Sequence, residues 1–275
     1  VLRGEDLLSS TPRQIRVYQA MGVKIQDYPV FAHLPFVMGQ DNAKLSKRNG
    51  EVSIAWYREM GFLPEAICNY LALLGWSPGD DLENITMKQL TEMFTVEKVH
   101  SSPARFDMKK LEAINGDKIR ALTLDDFLKW SLPFLTKADV ITGTDAEIEL
   151  VKKALPIIQE RIIMLNEVPK MLKFLFTKNF AVEAESVSKI TDDASKEILK
   201  RSVKELETVS DWTHTNIEAV LRASLIEEMA LKPRIAFTAL RIATTGSTIS
   251  PPLFESMELL GKEACLLRIN AGLAL

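Results

Sequence analysis

The sequence predicts a mainly α fold, and three observations carry that expectation. From about Leu124 onward, apolar residues recur at spacings of three and four, the period of one helix face. In the run VKKALPIIQERIIMLNEVPKMLKFLF these are Val151, Leu155, Ile158, Ile162, Leu165, Val168, Leu172 and Leu175. Ser, Thr or Asp precede many helical runs and Gly follows them, as start and stop signals do. Strand-like stretches are short and confined to the first forty positions.

In chain order, Val1 and Leu2 read as strand. Ser10-Thr11-Pro12 offers an N-cap with Pro in a first helical turn. RQIRVYQAMG follows as a helix with Ile15, Tyr18 and Met21 on one face and Gly22 at its end. FAHLPFVMG suits one short strand ending near Met38. GQDNAKLSKRNG, from Gly39 to Gly50, reads as a loop centred on K-L-S-K-R. Ser53 then caps IAWYREM, which stops at Gly61. LPEAICNYLALLGW is a helix with Ile67, Tyr70, Leu71 and Leu74 facing inward, followed by a turn at SPGDD. Thr86 caps MKQLTEMF. In RFDMKKLEAINGDKIRAL the basic residues Arg105, Lys109, Lys110, Lys118 and Arg120 outnumber the acids Asp107, Glu112 and Asp117. That helix presents either an ordinary solvated face or a surface for a phosphate backbone.

Beyond Leu124, Pro156 and Pro169 should kink or restart the long periodic run. Asp192 or Asp193 caps the next helix, and Thr213 or Thr215 the one after. In SPPLFESMELLG, Ser250 is read as N-cap, Pro251 as first turn and Gly261 as stop. This half reads as a helical bundle.

Composition bounds the chemistry. A chain of 275 residues suggests about two domains. A net charge of -3 and a pI of about 5.8 exclude a global field that draws the chain to nucleic acid, so any RNA contact must use local patches. Cys68 and Cys265 lie in apolar helical stretches and read as buried free thiols of a reducing compartment. His33, His100 and His214 are scattered, without metal-ligand spacing, and no structural metal is expected. No apolar run approaches the ~18 residues of a membrane span, so no membrane contact is expected. The opening VLRGEDLLSSTPRQ starts without Met in what looks like the end of a buried strand, and the chain reads as a fragment whose first half is missing.

The loop poses a question of its own. Lys44, Lys47 and Arg48 surround Ser46 between a strand and a helix. Such clusters are most often solvated surface. The position also suits phosphates, which mobile ammonium groups and backbone N–H donors can hold.

Taken together and in order, VLRGEDLLSSTPRQ, KLSKR, GFLPEAICNYLALLGW, FDMKKLEAING and TGSTISPPLFESMELLGKE resemble the bacterial-type glutamyl-tRNA synthetases, a class I aminoacyl-tRNA synthetase family. The resemblance runs along the whole chain. It implies the remnant of a Rossmann-like catalytic domain at 1–50, a helical stem-contact domain at 51–125 and an all-α anticodon-binding cage at 126–275. A subdomain break falls near Ala184. KLSKR resembles the K-M-S-K-S signature loop, with Leu45 for Met and Arg48 for the last Ser. The implied chemistry is attack of the glutamate carboxylate on the α-phosphate of ATP, and Lys44 and Lys47 are the catalytic candidates, as cations placed where charge develops.

The implied ATP contacts are Asp6, Val37, Met38, Lys44, Leu45, Ser46 and Lys47. Asp6 stands where some members carry Glu, and Val37 and Met38 would meet adenine through their backbone. Arg3 matches the arginine that grips the glutamate carboxylate with its planar fork; read without the family, it could equally pair with Glu5 or Asp6. Arg161 falls at the position that reads the third anticodon base, and Arg241 near another anticodon contact. Arg161 leans towards an enzyme that prefers glutamate anticodons, the alternative being an ion pair with Glu160 or Glu167. Trp212 is either core or a stacking platform, with core favoured. The implied partners are tRNA-Glu, L-glutamate and ATP with Mg2+ as a substrate complex, acting on a cytoplasmic monomer. The family's H-I-G-H-type motif and acceptor-stem insertion are not in this sequence. The chain alone is therefore expected to be inactive, its alternative role being a non-catalytic tRNA-binding module.

Overall fold

In the computed structural model, which describes residues 1–39, 43–45, 53–79, 82–177 and 180–275, the chain divides into two units, Val1–Ala121 and Leu122–Leu275. In the first unit, β1 (Leu2–Gly4) leads through a short 3-10 turn into α1 (Thr11–Ala20). The chain then returns as β2 (Ala32–Leu34), parallel to β1, with Arg3 opposite His33. A crossover helix between parallel strands is what such a pairing needs. Pro12 occupies the first turn of α1. Ser10 does not cap with its side chain, because its hydroxyl donates to the Leu7 carbonyl (2.7 Å). Ile15 and Tyr18 are half-buried, whereas Met21 lies just past the helix end and is 71% exposed.

The single strand expected to end at Met38 is two strands. β2 stops at Leu34, and β3 (Val37–Met38) pairs in parallel with β4 (Ala104–Arg105) in a separate sheet. Pro35 has no N–H to extend a ladder, and the Phe36 N–H donates to Glu5 Oε1 instead (3.0 Å).

Next, α2 (Ile54–Met60) is capped by Ser53, whose Oγ accepts from the Trp56 N–H (3.1 Å), and ends at Gly61 with φ 88°. That left-handed turn suits glycine. α3 (Pro64–Leu73) buries Ala66, Asn69 and Tyr70, leaving Leu71 and Cys68 exposed. Two expectations are corrected here: Leu71 faces outward and Cys68 is not a buried thiol. The reason is polar. Asn69 turns inward because its amide donates to the Glu83 carbonyl (2.9 Å) and accepts from the Ile85 N–H (2.7 Å). α4 (Met87–Met93) carries a capping box between Thr86 and Gln89. α5 (Met108–Arg120) is capped by Asp107. Several of its cations have partners within the unit: Lys110 pairs with Glu83 (2.6 Å), Arg120 with Asp117 (2.5 Å), and Lys118 donates to the Ile85 carbonyl (2.8 Å).

The second unit is helical among its described residues: α6 (Leu124–Lys137), α7 (Asp145–Ala154), α8 (Pro156–Gln159), α9 (Val168–Phe176), α10 (Ala184–Val187), α11 (Asp193–Thr208) and α12 (His214–Leu221). A π-helical segment, Arg222–Glu228, leads on to α13 (Pro233–Thr245), α14 (Leu253–Leu260) and α15 (Lys262–Leu273). Pro156 starts α8 and Pro169 sits in the first turn of α9, so both restart the long run. Val151, Leu155, Ile158, Ile162, Leu165, Val168 and Leu172 are all buried, and each such side chain contributes about 1.5–3 kcal/mol.

A second apolar cluster joins α11, α12, α13, α14 and α15 through Leu199, Leu206, Leu221, Leu240, Met257 and Ile269. Trp212 packs against it and its indole N–H donates to the Met257 carbonyl (2.9 Å), so it is core. Asp192 and Thr213 are the caps of α11 and α12. Ser250 is not the cap of α14. Its hydroxyl accepts from Arg241 Nη1 (2.7 Å), and the helix begins after Pro252. Both cysteines are free, and burial pushes the Cys265 thiol up to about 12.

Candidate functional site

The loop opened by β3 turns back on itself. The Leu45 N–H donates to the Val37 carbonyl (2.9 Å) and the Gly39 N–H to the Ala43 carbonyl (2.8 Å), bridging Met38 to Lys44. On its other side, the Met38 carbonyl accepts from the Phe106 N–H (2.8 Å). Lys44 is exposed, and its ammonium rests 3.7 Å from the centroid of the Phe36 ring. A cation over an aromatic face is attracted by the ring quadrupole without losing its charge. Among the described residues Lys44 has no ion pair. Ser46, Lys47 and Arg48 lie outside the described residues.

Arg3 is held differently. Its Nε donates to His33 Nε2 (3.2 Å), and its Nη2 donates to Thr11 Oγ1 (2.6 Å) and, at 3.4 Å, to the Leu7 carbonyl. The guanidinium carbon lies 5.2 Å from the centre of the Phe31 ring. Among the described residues it pairs with neither Glu5 nor Asp6: Glu5 is occupied by Phe36, and Asp6 is exposed, its Oδ1 folded back over Gly4, where a Cβ would come within 2.4 Å. Direct contacts thus form two sets, Arg3 on β1 with His33 on β2, and Glu5 in the turn after β1 with Phe36 and Lys44 beyond it. Sequence reading had singled out Arg3 and Lys44 but missed His33, Thr11 and Phe36, which touch them. A strand–helix–strand pattern pairing β1 with β2 was the signal that could have found His33.

In the second unit, Arg161 is exposed and its guanidinium makes no hydrogen bond or ion pair among the described residues. The alternative pairing with Glu167 is not made; that carboxylate accepts from the Ile163 and Met164 N–H groups (3.1 and 2.9 Å). Arg241 is half-buried, with Nη1 donating to Ser250 Oγ (2.7 Å) and the Pro251 carbonyl (2.8 Å). Burial lowers its pKa, the nearby positive charge of Arg161 lowers it further, and Glu255 opposes both. One braced cation and one with free donors suit an anionic or acceptor-rich ligand.

Elsewhere in this unit, Arg268 is buried and donates to the Thr244 and Phe174 carbonyls (both 2.8 Å) beneath the Phe180 ring. Among the described residues no group of three or more His, Cys, Asp or Glu could hold a metal, and no helix is long and apolar enough to cross a membrane.

Comparison with known proteins gives consistent findings. The family described as "tRNA synthetases class I (E and Q), catalytic domain" matches residues 1–113, and "Anticodon binding domain" matches residues 125–273. The glutamate–tRNA ligase of Saccharopolyspora erythraea is 46% identical over 278 residues, covering 99% of this chain and 55% of the relative. That of Arthrobacter sp. (strain FB24) is 47% identical over 282 residues, covering 98% of this chain and 55% of the relative. Among solved structures, a glutamate tRNA ligase from Elizabethkingia meningosepticum in complex with its amino acid superposes with a TM-score of 0.82 at 26% identity, over 100% of this chain and 56% of that one. Glutamate-tRNA synthetase from Elizabethkingia anophelis superposes at 0.79, also with 26% identity and the same coverage. The chain spans about half the length of the curated relatives it matches.

Proposed function

Because this chain belongs to the glutamate–tRNA ligase family of class I tRNA synthetases, we propose that it serves the ATP-dependent activation of L-glutamate to glutamyl-adenylate and its transfer to tRNA-Glu. The observation that carries this reading is similarity running through both the catalytic and the anticodon-binding family regions in order. In the reaction, the glutamate carboxylate attacks the α-phosphate of ATP, which arrives as its Mg2+ complex, and pyrophosphate leaves. Lys44 and Lys47 neutralise the charge that develops on the phosphate oxygens, which lowers the barrier only to the extent that they bind it better in the transition state. Asp6, Leu45 and Ser46 border the nucleotide, and the Val37 and Met38 backbone faces adenine. Arg3 holds the substrate carboxylate.

Residues 1–50 act as the end of the catalytic domain, 51–125 as the stem-contact domain and 126–275 as the anticodon-binding domain, divided near Ala184. Arg161 and Arg241 serve anticodon recognition, and the exposed, unpaired guanidinium of Arg161 supports a base-edge contact. The protein works as a cytoplasmic monomer.

A second reading, a tRNA-binding module without chemistry of its own, is favoured for the isolated chain because the sequence holds no H-I-G-H-type motif. One pair of measurements tests both. The 275-residue chain is expected to bind tRNA-Glu at low salt and to lose about a hundredfold in affinity from about 50 to about 200 mM salt, as a handful of phosphate contacts would. It is expected to show no ATP–pyrophosphate exchange. Absence of tRNA binding at low salt removes the RNA reading altogether; exchange by this chain removes the second reading.

A further inference from the structure

We propose that His33 and Thr11 are positioning residues that clamp one side of the Arg3 guanidinium, so that its opposite edge is presented to a substrate carboxylate. The inference rests on the reading of Arg3 as the carboxylate-binding arginine and deepens it.

The geometry carries the argument. A guanidinium offers five N–H donors in a fixed plane, grouped in a side-on fork, Nε with Nη2, and an end-on fork, Nη1 with Nη2. In Arg3 the side-on fork is taken by two neutral acceptors: Nε donates to His33 Nε2 (3.2 Å) and Nη2 to Thr11 Oγ1 (2.6 Å). Nη1 has no partner among the described residues. Nη2 also donates to the Leu7 carbonyl at 3.4 Å, so the Nη1 edge is the one left to meet a carboxylate.

The acceptor role also assigns a proton. Arginine cannot accept a hydrogen bond, so His33 Nε2 must present its lone pair and the ring proton of neutral His33 must sit on Nδ1. Thr11 Oγ1 lies 3.1 Å from the same Nε2, whose one lone pair Arg3 already takes, and its own proton goes to the Leu7 carbonyl at 3.4 Å. The clamp therefore joins three elements: Arg3 on β1, Thr11 at the start of α1 and His33 on β2. The parallel register, Arg3 opposite His33, fixes their relative placement. Among the described residues no carboxylate takes part. A carboxylate there would neutralise the guanidinium and compete with an incoming one, whereas imidazole and hydroxyl orient it and leave its charge available. The Phe31 ring, 5.2 Å from the guanidinium carbon, adds a surface that does the same.

The test uses the 275-residue chain with 15N-labelled arginine. The Arg3 Nε–H resonance is identified by its loss in Arg3→Lys, and L-glutamate is titrated into each variant. His33→Leu should abolish the protection of the Arg3 Nε–H from exchange, and His33→Leu and Thr11→Val should each weaken L-glutamate by about tenfold, the loss of one charge-assisted hydrogen bond. His33→Gln restores a neutral acceptor and should bind L-glutamate within about threefold of the parent. A merely structural histidine would show no such rescue. L-glutamate that requires Arg3 but binds His33→Leu and Thr11→Val as it binds the parent overturns the clamp and leaves the reading of Arg3 standing. Binding that is absent, or unaffected by Arg3→Lys, removes the reading of Arg3 and the clamp with it.

Discussion

Arg161 and Arg241 carry the same charge in the same helical unit, and their surroundings hold them differently. Arg241 is half-buried and its Nη1 is engaged by Ser250 Oγ and the Pro251 carbonyl, holding the turn ahead of α14. Arg161 is exposed with no such partner among the described residues. Removing a charged donor that satisfies partly buried acceptors costs about 1.5–3 kcal/mol, whereas a surface substitution of this kind stays within about 0.5 kcal/mol. Arg241→Ala should therefore destabilise the chain by about 1.5–3 kcal/mol in a urea titration, and Arg161→Gln should leave stability nearly unchanged. If Arg161 reads an anticodon base, that same Arg161→Gln change should relax the preference among tRNAs; equal destabilisation by the two variants would contradict the contrast. Both arginines stood out in the sequence only through the family resemblance. Nothing local marks Arg241 as a brace, because Ser250 reads equally well as a helix cap until the fold shows which donor reaches it.

Among the elements, the start of α7 holds a heavily hydrogen-bonded carboxylate. Glu147 Oε2 accepts from the N–H groups of Thr142, Gly143 and Thr144 and from the hydroxyls of Thr142 and Thr144, all at 2.9–3.1 Å. The backbone bond from Thr144 is the largest of the causes that pull its pKa down to about 2, with Thr142 adding to it. The sign follows from linkage. A carboxyl held below its unfolded value stabilises the fold at neutral pH, and that contribution fades as pH falls through the folded value. Glu147→Ala should lower the melting temperature at pH 7, and the gap to the parent should close as pH falls from about 4.5 towards about 2. A gap that stays constant over that window would refute the cap. The T-D-A-E spacing of Thr144 to Glu147 is a capping-box signal that sequence reading could have used and did not. Ser53, Thr86 and Gly61 were legible for the same local reason: a cap is decided by residues within one turn of it. Leu71 and Cys68 were misjudged because Asn69, bonded to Glu83 and Ile85, rotates the buried face of α3 away from the most apolar positions.

At the scale of the whole molecule, the two units differ in how completely each closes its own apolar surface. The periodic run from Val151 to Leu172 could be read from the sequence because helical burial repeats within a few residues, and the second unit buries it. In the first unit a strand–helix–strand pattern hints at the pairing of β1 with β2, but β3 meets β4 across an interval that no local pattern encodes. Among the described residues its sheets have two strands each, a size that is marginal by itself. Within its first thirty positions Leu2, Leu8, Val17, Met21, Ile25 and Val30 are all exposed. Apolar side chains left in water contribute none of the roughly 25 cal/mol per Å2 that burial supplies, so this end of the chain should open first. Native-state hydrogen exchange followed peptide by peptide in rising urea resolves such an order. Amides of β1, β2 and α1 should exchange at lower urea than those of α11, α13 and α15, with protection lower by at least about tenfold in the absence of denaturant. The difference should persist in Cys68→Ser, which removes an exposed thiol. Exchange of all these elements through one common opening, at the same urea concentration, would mean that the chain unfolds as a single cooperative body and that the exposed apolar positions of the first unit carry no energetic weight.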